Sequence, residues 1–182
     1  MTTLYLVRHG EAAASWEENP DPGLSERGLL QAQSLPAQFD GLPVQHIVSS
    51  PLCRARETAI PLSQALGIPI QVSTAFREIP SPVDISLAER LAWLRSCAQQ
   101  PWEGAPAELQ QWRQNILDAL RQLPPDSVVF THFMVMNAVL GHTQERPSLV
   151  CYQPDYGSVL TLEVTDAIVV TCIGKQAQSR VL

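Results

Sequence analysis

Short apolar runs alternate with longer amphipathic stretches along most of this chain. Residues 3–7 form the first run and stop abruptly at Arg8-His9-Gly10, which predicts a buried strand ending in a turn. A polar, proline-broken loop from Ala12 to Gly23 follows. Ser25 then reads as the N-cap of a helix extending to about Gln38. After Gly41 and Pro43 a second strand is predicted over Val44–Ser49. Ser50 as N-cap and Pro51 at the first helical position open a second helix, which Gly67 closes. Ile68–Val72 is a short strand, and Phe76–Asp84 is irregular, fixed by Pro80 and Pro82. Helices are expected over Ser86–Gln99 and Ala107–Leu123. In the latter, Leu109, Trp112, Ile116, Leu120 and Leu123 form one apolar stripe.

Pro124-Pro125-Asp126 breaks that helix, and Ser127–Thr131 is a further apolar strand that ends, like the first, in a histidine, His132. A helix follows through Gly141. Ser158–Val164 and Ala167–Ile173, joined at Thr165-Asp166, read as a β-hairpin added to the sheet. The alternation predicts an α/β fold, a three-layer α/β/α sandwich around a mostly parallel sheet with at least one antiparallel strand. The 182 residues are read as one domain spanning 1–182.

Composition narrows the function. Charged residues make up 16% and the net charge is −6, so the overall field repels polyanions and nucleic acid is not an expected partner. No apolar stretch is long enough to span a bilayer, and the start lacks the pattern of a signal peptide. Cys53, Cys97, Cys151 and Cys172 have no metal-site or redox spacing and are expected to be reduced, mostly buried thiols in a cytoplasmic protein. Oligomeric state is not legible.

In open α/β sheets, ligands bind beyond the carboxyl ends of the strands. If strands 3–7 and 127–131 are parallel neighbours, His9 and His132 face one crevice, and the Ser49–Arg54 turn joins them. Gly10 is expected to permit the turn and leave room for a ligand. Arg54, in the first turn of its helix, meets the positive end of the helix dipole; a bound anion would relieve that, and an ion pair with Glu57 is the alternative. Arg8, His9, Arg54 and His132 together suit a phosphoryl group, with neutral imidazole as nucleophile, a form that flanking guanidiniums favour.

These residues carry a family resemblance. Leu6-Val7-Arg8-His9-Gly10-Glu11, Leu24-Ser25-Glu26-Arg27-Gly28 with Gln31-Ala32, Ser49-Ser50-Pro51-Leu52-Cys53-Arg54-Ala55-Arg56-Glu57-Thr58-Ala59, and the strand ending in His132 resemble the histidine phosphatase superfamily, the phosphoglycerate mutase-like group. The resemblance implies that His9 becomes phosphorylated while Arg8, Arg54 and His132 bind the transferring group. It places the proton donor near Phe76-Arg77-Glu78-Ile79, which makes Glu78 the acid, with partial desolvation by Phe76, Ile79 and Pro80 raising its pKa. A solvated loop glutamate is the alternative. No metal or other cofactor is needed.

Two departures from the family's pattern stand out. Phe133 replaces the glycine common after the second histidine, and Ile79-Pro80-Ser81-Pro82 replaces a glycine-bearing segment after the acid. Phe133 is expected to narrow the pocket or give it an apolar wall. Glu11 is read as holding its loop, Arg77 as a surface residue, and His46 and His142 as ordinary polar positions. Trp93 and Trp102 are assigned to the core in preference to a lid. The expected activity is hydrolysis of a small phosphorylated metabolite by way of phosphohistidine. The alternatives are a phosphoglycerate mutase-type transferase and a non-catalytic module that binds a phosphorylated ligand.

Overall fold

A computed structural model of the chain describes residues 2–15, 17–98 and 100–179. Six strands form one sheet: β1 (Thr2–Arg8), β2 (His46–Ser49), β3 (Ile70–Val72), β4 (Ser127–Thr131), β5 (Val159–Val164) and β6 (Ile168–Ile173), in the order β3-β2-β4-β1-β5-β6. The pairs β2·β3, β2·β4 and β1·β4 are parallel, whereas β1·β5 and β5·β6 are antiparallel. Only β5 therefore runs against the other five.

Side-chain alternation along β1 explains the layering. Leu4 and Leu6 point into one core with Val129, Phe133, Ile116 and Leu120, while Tyr5 and Val7 enter another with Leu35, Phe39, Ala59 and Leu62. Helices α1 (Glu26–Ser34) and α2 (Cys53–Leu66) lie on the second face. On the first lie α3 (Arg90–Ala98), α4 (Ala107–Gln122) and α5 (Phe133–Thr143). The chain leaving β1 and the chain leaving β4 thus enter helices on opposite faces, which opens a crevice between two adjacent strand ends. Among the described residues no helix is long and apolar enough to cross a membrane.

Several local expectations need correction. Ser25 does cap α1, its Oγ accepting from the Gly28 amide at 3.0 Å, but α1 ends at Ser34 and Pro36–Phe39 is a separate 3-10 turn. Ser50 does not cap α2. That helix begins three residues later, with Pro51 outside it, and its Cys53 amide donates instead to Asp21 Oδ1 at 2.8 Å from the 12–23 loop. The Ser86 start is a 3-10 turn with a reciprocal Ser86–Glu89 capping box, leading into α3. In α4 the stripe is buried at Leu109, Ile116 and Leu120, while Trp112 and Leu123 are half-buried at its edge. Cysteine burial was overestimated: Cys97 is buried, Cys53 and Cys151 are partly so, and Cys172 is exposed.

Gly10 also has a use beyond the one expected. A Cβ there would sit 2.7 Å from the Gly28 carbonyl oxygen, and one on Gly28 would overlap the Glu11 carbonyl. The two glycines let α1 press backbone to backbone against the turn after β1; the space serves the chain itself. Gly28→Ala should therefore destabilise the fold by about 1–3 kcal/mol through overpacking. Urea denaturation would show this as a lowered midpoint, and an unchanged midpoint would contradict the contact.

Candidate active site

Backbone hydrogen bonds sew three strand ends together. The His9 amide donates to the Thr131 carbonyl (3.0 Å), and the Ser50 amide to the Phe130 carbonyl (2.9 Å). The residues after β1, β2 and β4 are thereby drawn to one place. Arg8, His9, Arg54 and His132 are all buried there, and the two imidazole centroids lie 5.2 Å apart.

His9 Nδ1 lies 2.6 Å from the Gly10 carbonyl oxygen, which can only accept, so Nδ1 carries the proton and Nε2 the lone pair. Arg54 Nε donates to that lone pair at 3.1 Å. Arg54 is thus engaged with His9; Glu57, its suggested ion-pair partner, accepts instead from the Leu24 amide (2.6 Å) and the Cys53 thiol. Burial, and then the Arg54 and Arg8 charges, hold the His9 pKa well below the ordinary imidazole range. Desolvation is the larger cause, ahead of the guanidiniums the sequence pointed to. His132 is depressed in the same way and for the same leading reason.

Ser50 was missed as a site residue because its position suggested a helix cap. Its Oγ lies 2.7 Å from His132 Nε2 and accepts weakly from the Leu52 amide (3.3 Å). When the hydroxyl donates to Nε2, the ring proton of His132 sits on Nδ1. Nδ1 of His132, Nε of Arg8 and Nη1 of Arg54 are then three buried donors without an acceptor among the described residues. Such a set favours an anion with several oxygens.

Arg8 is fixed from the other side of the sheet. Its Nη1 donates to the Pro154 carbonyl (2.7 Å), and its guanidinium lies over the Tyr156 ring at 4.1 Å and the Phe133 ring at 5.3 Å. Asn137 holds that side in place. Buried in the apolar α5, it accepts from the Cys151 and Tyr152 amides (2.8 and 3.0 Å) and donates to the Phe133 carbonyl (3.0 Å). An asparagine inside Phe-Met-Val-Met-Asn-Ala-Val-Leu-Gly was a legible signal; Tyr156, in an unremarkable loop, offered none.

Glu78 sits on the wall of the same cavity, about 270 Å³, with Arg8, His9 and Arg54. Its irregular segment is pinned: Thr131 Oγ1 donates to the Phe76 carbonyl (2.9 Å), and Trp112 Nε1 to that of Arg77 (3.2 Å). Phe76 and Ile79 are buried on either side. Glu78 Oε1 accepts from the Ile79 and Met134 amides, both at 3.1 Å, so it satisfies the open N-terminus of α5 and leaves Oε2 for the cavity. Burial raises its pKa above the usual carboxyl value, outweighing the two guanidiniums and the two amides that oppose it.

The remaining candidates stay in supporting roles. Glu11 accepts from Ser25 Oγ (2.8 Å) and holds the loop. Trp102 is buried and Trp93 packs against the core, so neither forms a lid. Arg77 and His142 are exposed, while His46 is half-buried at the start of β2.

Two neutral buried histidines make the fold sensitive to acid. Their folded pKa values are depressed, so the unfolded chain binds their protons first and stability is lost as pH falls below about 6.5. Each contributes a slope of up to about 1.4 kcal/mol per pH unit. Between pH 7.0 and 5.5 the unfolding free energy should therefore fall less in His132→Asn than in the native chain, measured by urea titration at both pH values. Equal falls would mean that His132 is not held neutral.

Residues 4–168 match the Histidine phosphatase superfamily (branch 1). Over 158 residues the chain is 28% identical to the Probable phosphoglycerate mutase GpmB of Erwinia tasmaniensis, covering 77% of this chain and 74% of that one. Its fold is similar to that of a putative alpha-ribazole-5'-P phosphatase from Escherichia coli, with a TM-score of 0.77 at 20% identity over 98% of this chain and 100% of the other. It is also similar to a mycobacterial glucosyl-3-phosphoglycerate phosphatase solved with VO3, with a TM-score of 0.75 at 20% identity over 96% and 99%. With the family match spanning most of the sequence, and with the strand-end histidines and arginines gathered in one crevice, this chain belongs to the histidine phosphatase superfamily.

Proposed function

We propose that the protein is a metal-independent phosphomonoesterase that hydrolyses small phosphorylated metabolites by way of a phosphohistidine on His9. The observation that carries this reading is the His9 ring itself. It is kept neutral by burial, its proton is fixed on Nδ1 by Gly10, and its Nε2 lone pair is turned toward the guanidiniums, accepting from Arg54 Nε.

In this reading the phosphoryl oxygens take the unpaired donors of Arg8, Arg54 and His132. The Arg54 Nε–H hydrogen bond shifts from His9 Nε2 to a phosphoryl oxygen. The freed Nε2 lone pair attacks phosphorus in line as the bond to the leaving oxygen breaks, while Glu78 Oε2 gives that oxygen its proton. Glu78, now a carboxylate, takes a proton from water, and the water oxygen attacks the phosphohistidine. His9 and inorganic phosphate are released. The raised Glu78 pKa suits the first half of this cycle, and the nearby cations suit the second.

Hydrolysis is preferred over return of the phosphoryl group to substrate because the site has little to shut water out. Among the described residues, none from 79 to 90 lines the cavity, and Val83 on that segment is fully exposed. The likeness to a probable phosphoglycerate mutase favours the second reading, transfer between positions of one substrate. A cytoplasmic setting agrees with four free thiols.

Loss of the His9 nucleophile in His9→Ala should abolish turnover of p-nitrophenyl phosphate. Unchanged turnover would remove the nucleophile assignment and leave a phosphate-binding module. Glu78→Gln should lower kcat on an alkyl phosphate by about 10²–10⁴-fold, while p-nitrophenyl phosphate, whose leaving group needs no proton, loses far less. The native basic limb for alkyl esters, set by deprotonation of Glu78, should vanish in this variant. Equal losses on both esters would mean that Glu78 is not the acid. Incubation with 3-phosphoglycerate and a bisphosphorylated primer should yield no isomer, and efficient interconversion would establish the mutase reading instead.

A further inference from the structure

The wall of the cavity beyond the phosphoryl machinery is apolar and has no cation to spare. Apart from Arg8, His9, Arg54 and Glu78, it is lined by Ala12, Ala14, Ser15 and Pro22 of the loop after β1, Leu91 and Leu94 of α3, Phe133, and Tyr156. Phe133, where the family commonly has glycine, supplies a buried aromatic surface beside Arg8. We propose that the ester this site takes has an uncharged, apolar leaving group, a short alkyl or aryl alcohol, and that carboxylate-bearing phosphoesters are disfavoured. This rests on the phosphomonoesterase reading given above.

Charge decides the matter more than shape. A second anionic group on the substrate needs a second cation, and among the residues that line the cavity only Arg8 and Arg54 carry one. Arg8 and Arg54, with one unpaired buried nitrogen each, are the cations the phosphoryl group takes in this reading. Arg77 and Arg90 do not line the cavity, although the Arg77 charge reaches Arg54 and His132 and Arg90 Nε is buried without a partner among the described residues. Arg27 and Lys175 line a separate groove, which shares only Arg8 and Tyr156 with the cavity, and they lie 3.6 Å from Glu11 and 3.4 Å from Asp155. The loop that contributes Ala12 to Pro22 carries Glu17, Glu18 and Asp21 and no lysine or arginine. Glu78 adds another carboxyl on the leaving-group side. A carboxylate placed against Leu91, Leu94 and Phe133 would lose hydration on that side, where these side chains offer no hydrogen-bond donor to replace it. An alkyl or aryl group there removes apolar surface from water on both partners.

The test compares two esters of matched length, butyl phosphate and 4-phosphooxybutanoate, which differ in a terminal methyl against a carboxylate. In the native protein kcat/KM should favour butyl phosphate by at least about tenfold, with p-nitrophenyl phosphate as a check that the enzyme is active. Leu91→Lys, at a half-buried position on the wall, should narrow that ratio by about tenfold by supplying the missing cation. Equal rates on the two esters, or preference for the carboxylate, would overturn the inference and leave the hydrolase reading standing. A ratio unmoved by Leu91→Lys would overturn the placement of the leaving group against α3. Failure to turn over all three esters would overturn the hydrolase reading, and this inference with it.

Discussion

Two guanidiniums are buried beside two imidazoles at the ends of β1 and β4, and neither arginine has a carboxylate within salt-bridge distance among the described residues. Burial of charge is costly unless hydrogen bonds and partners offset it. Here the offset is partial. Arg8 has one carbonyl and two aromatic rings, Arg54 has the lone pair of His9, and each keeps an unpaired nitrogen. The arrangement makes physical sense as a site whose electrostatics are completed by an anion. The same cations, together with desolvation, keep His9 neutral. Unpaired cationic donors and a neutral His9 are therefore two consequences of one arrangement.

The fold provides the rigidity this needs. Parallel pairing of β1 with β4 and of β4 with β2 fixes three consecutive strand ends in register, and the amides of His9 and Ser50 extend that register one residue past the strands. Glycine contacts at Gly10 and Gly28 clamp α1 onto the first turn. Thr58 ties the same turn to α2: its Oγ1 accepts from the Gly10 amide (3.0 Å) and donates to the Arg54 carbonyl (2.6 Å). Glu78 comes from a segment without regular structure, yet it is held by a buried residue on each side and by the N-terminus of α5. Glu78 is thus linked to the helix that follows His132.

Much of this was legible in the sequence, because the signals are local. Apolar runs that end in Arg-His and in His announced both strand ends, and proline and glycine marked most helix boundaries. Ser50 was misread for a physical reason. A serine before proline is a good local cap, but here its hydroxyl is taken by a histidine 82 positions away, and an aspartate from another loop serves the helix. Tyr156 and the role of Gly10 depend on contacts between remote segments, which no local pattern encodes. The preference for a neutral imidazole was foreseen from charge, whereas its larger cause, burial, required the packing of the two faces. Phe133 was visible as a departure, and its meaning became clear only with Leu91 and Leu94 set beside it.

The central claim, a neutral nucleophile and its partner histidine gathered around one oxyanion, is open to direct observation. Nitrogen-15 NMR of the imidazole side chains, recorded from pH 7.5 to 5.0 with and without inorganic phosphate, reads both protonation and ligation. The His9 and His132 rings should still be neutral where an ordinary imidazole is half protonated, with the His9 proton on Nδ1, and both sets of resonances should shift on addition of phosphate. Titration of either ring near pH 6.5, or phosphate that moves neither, would contradict it.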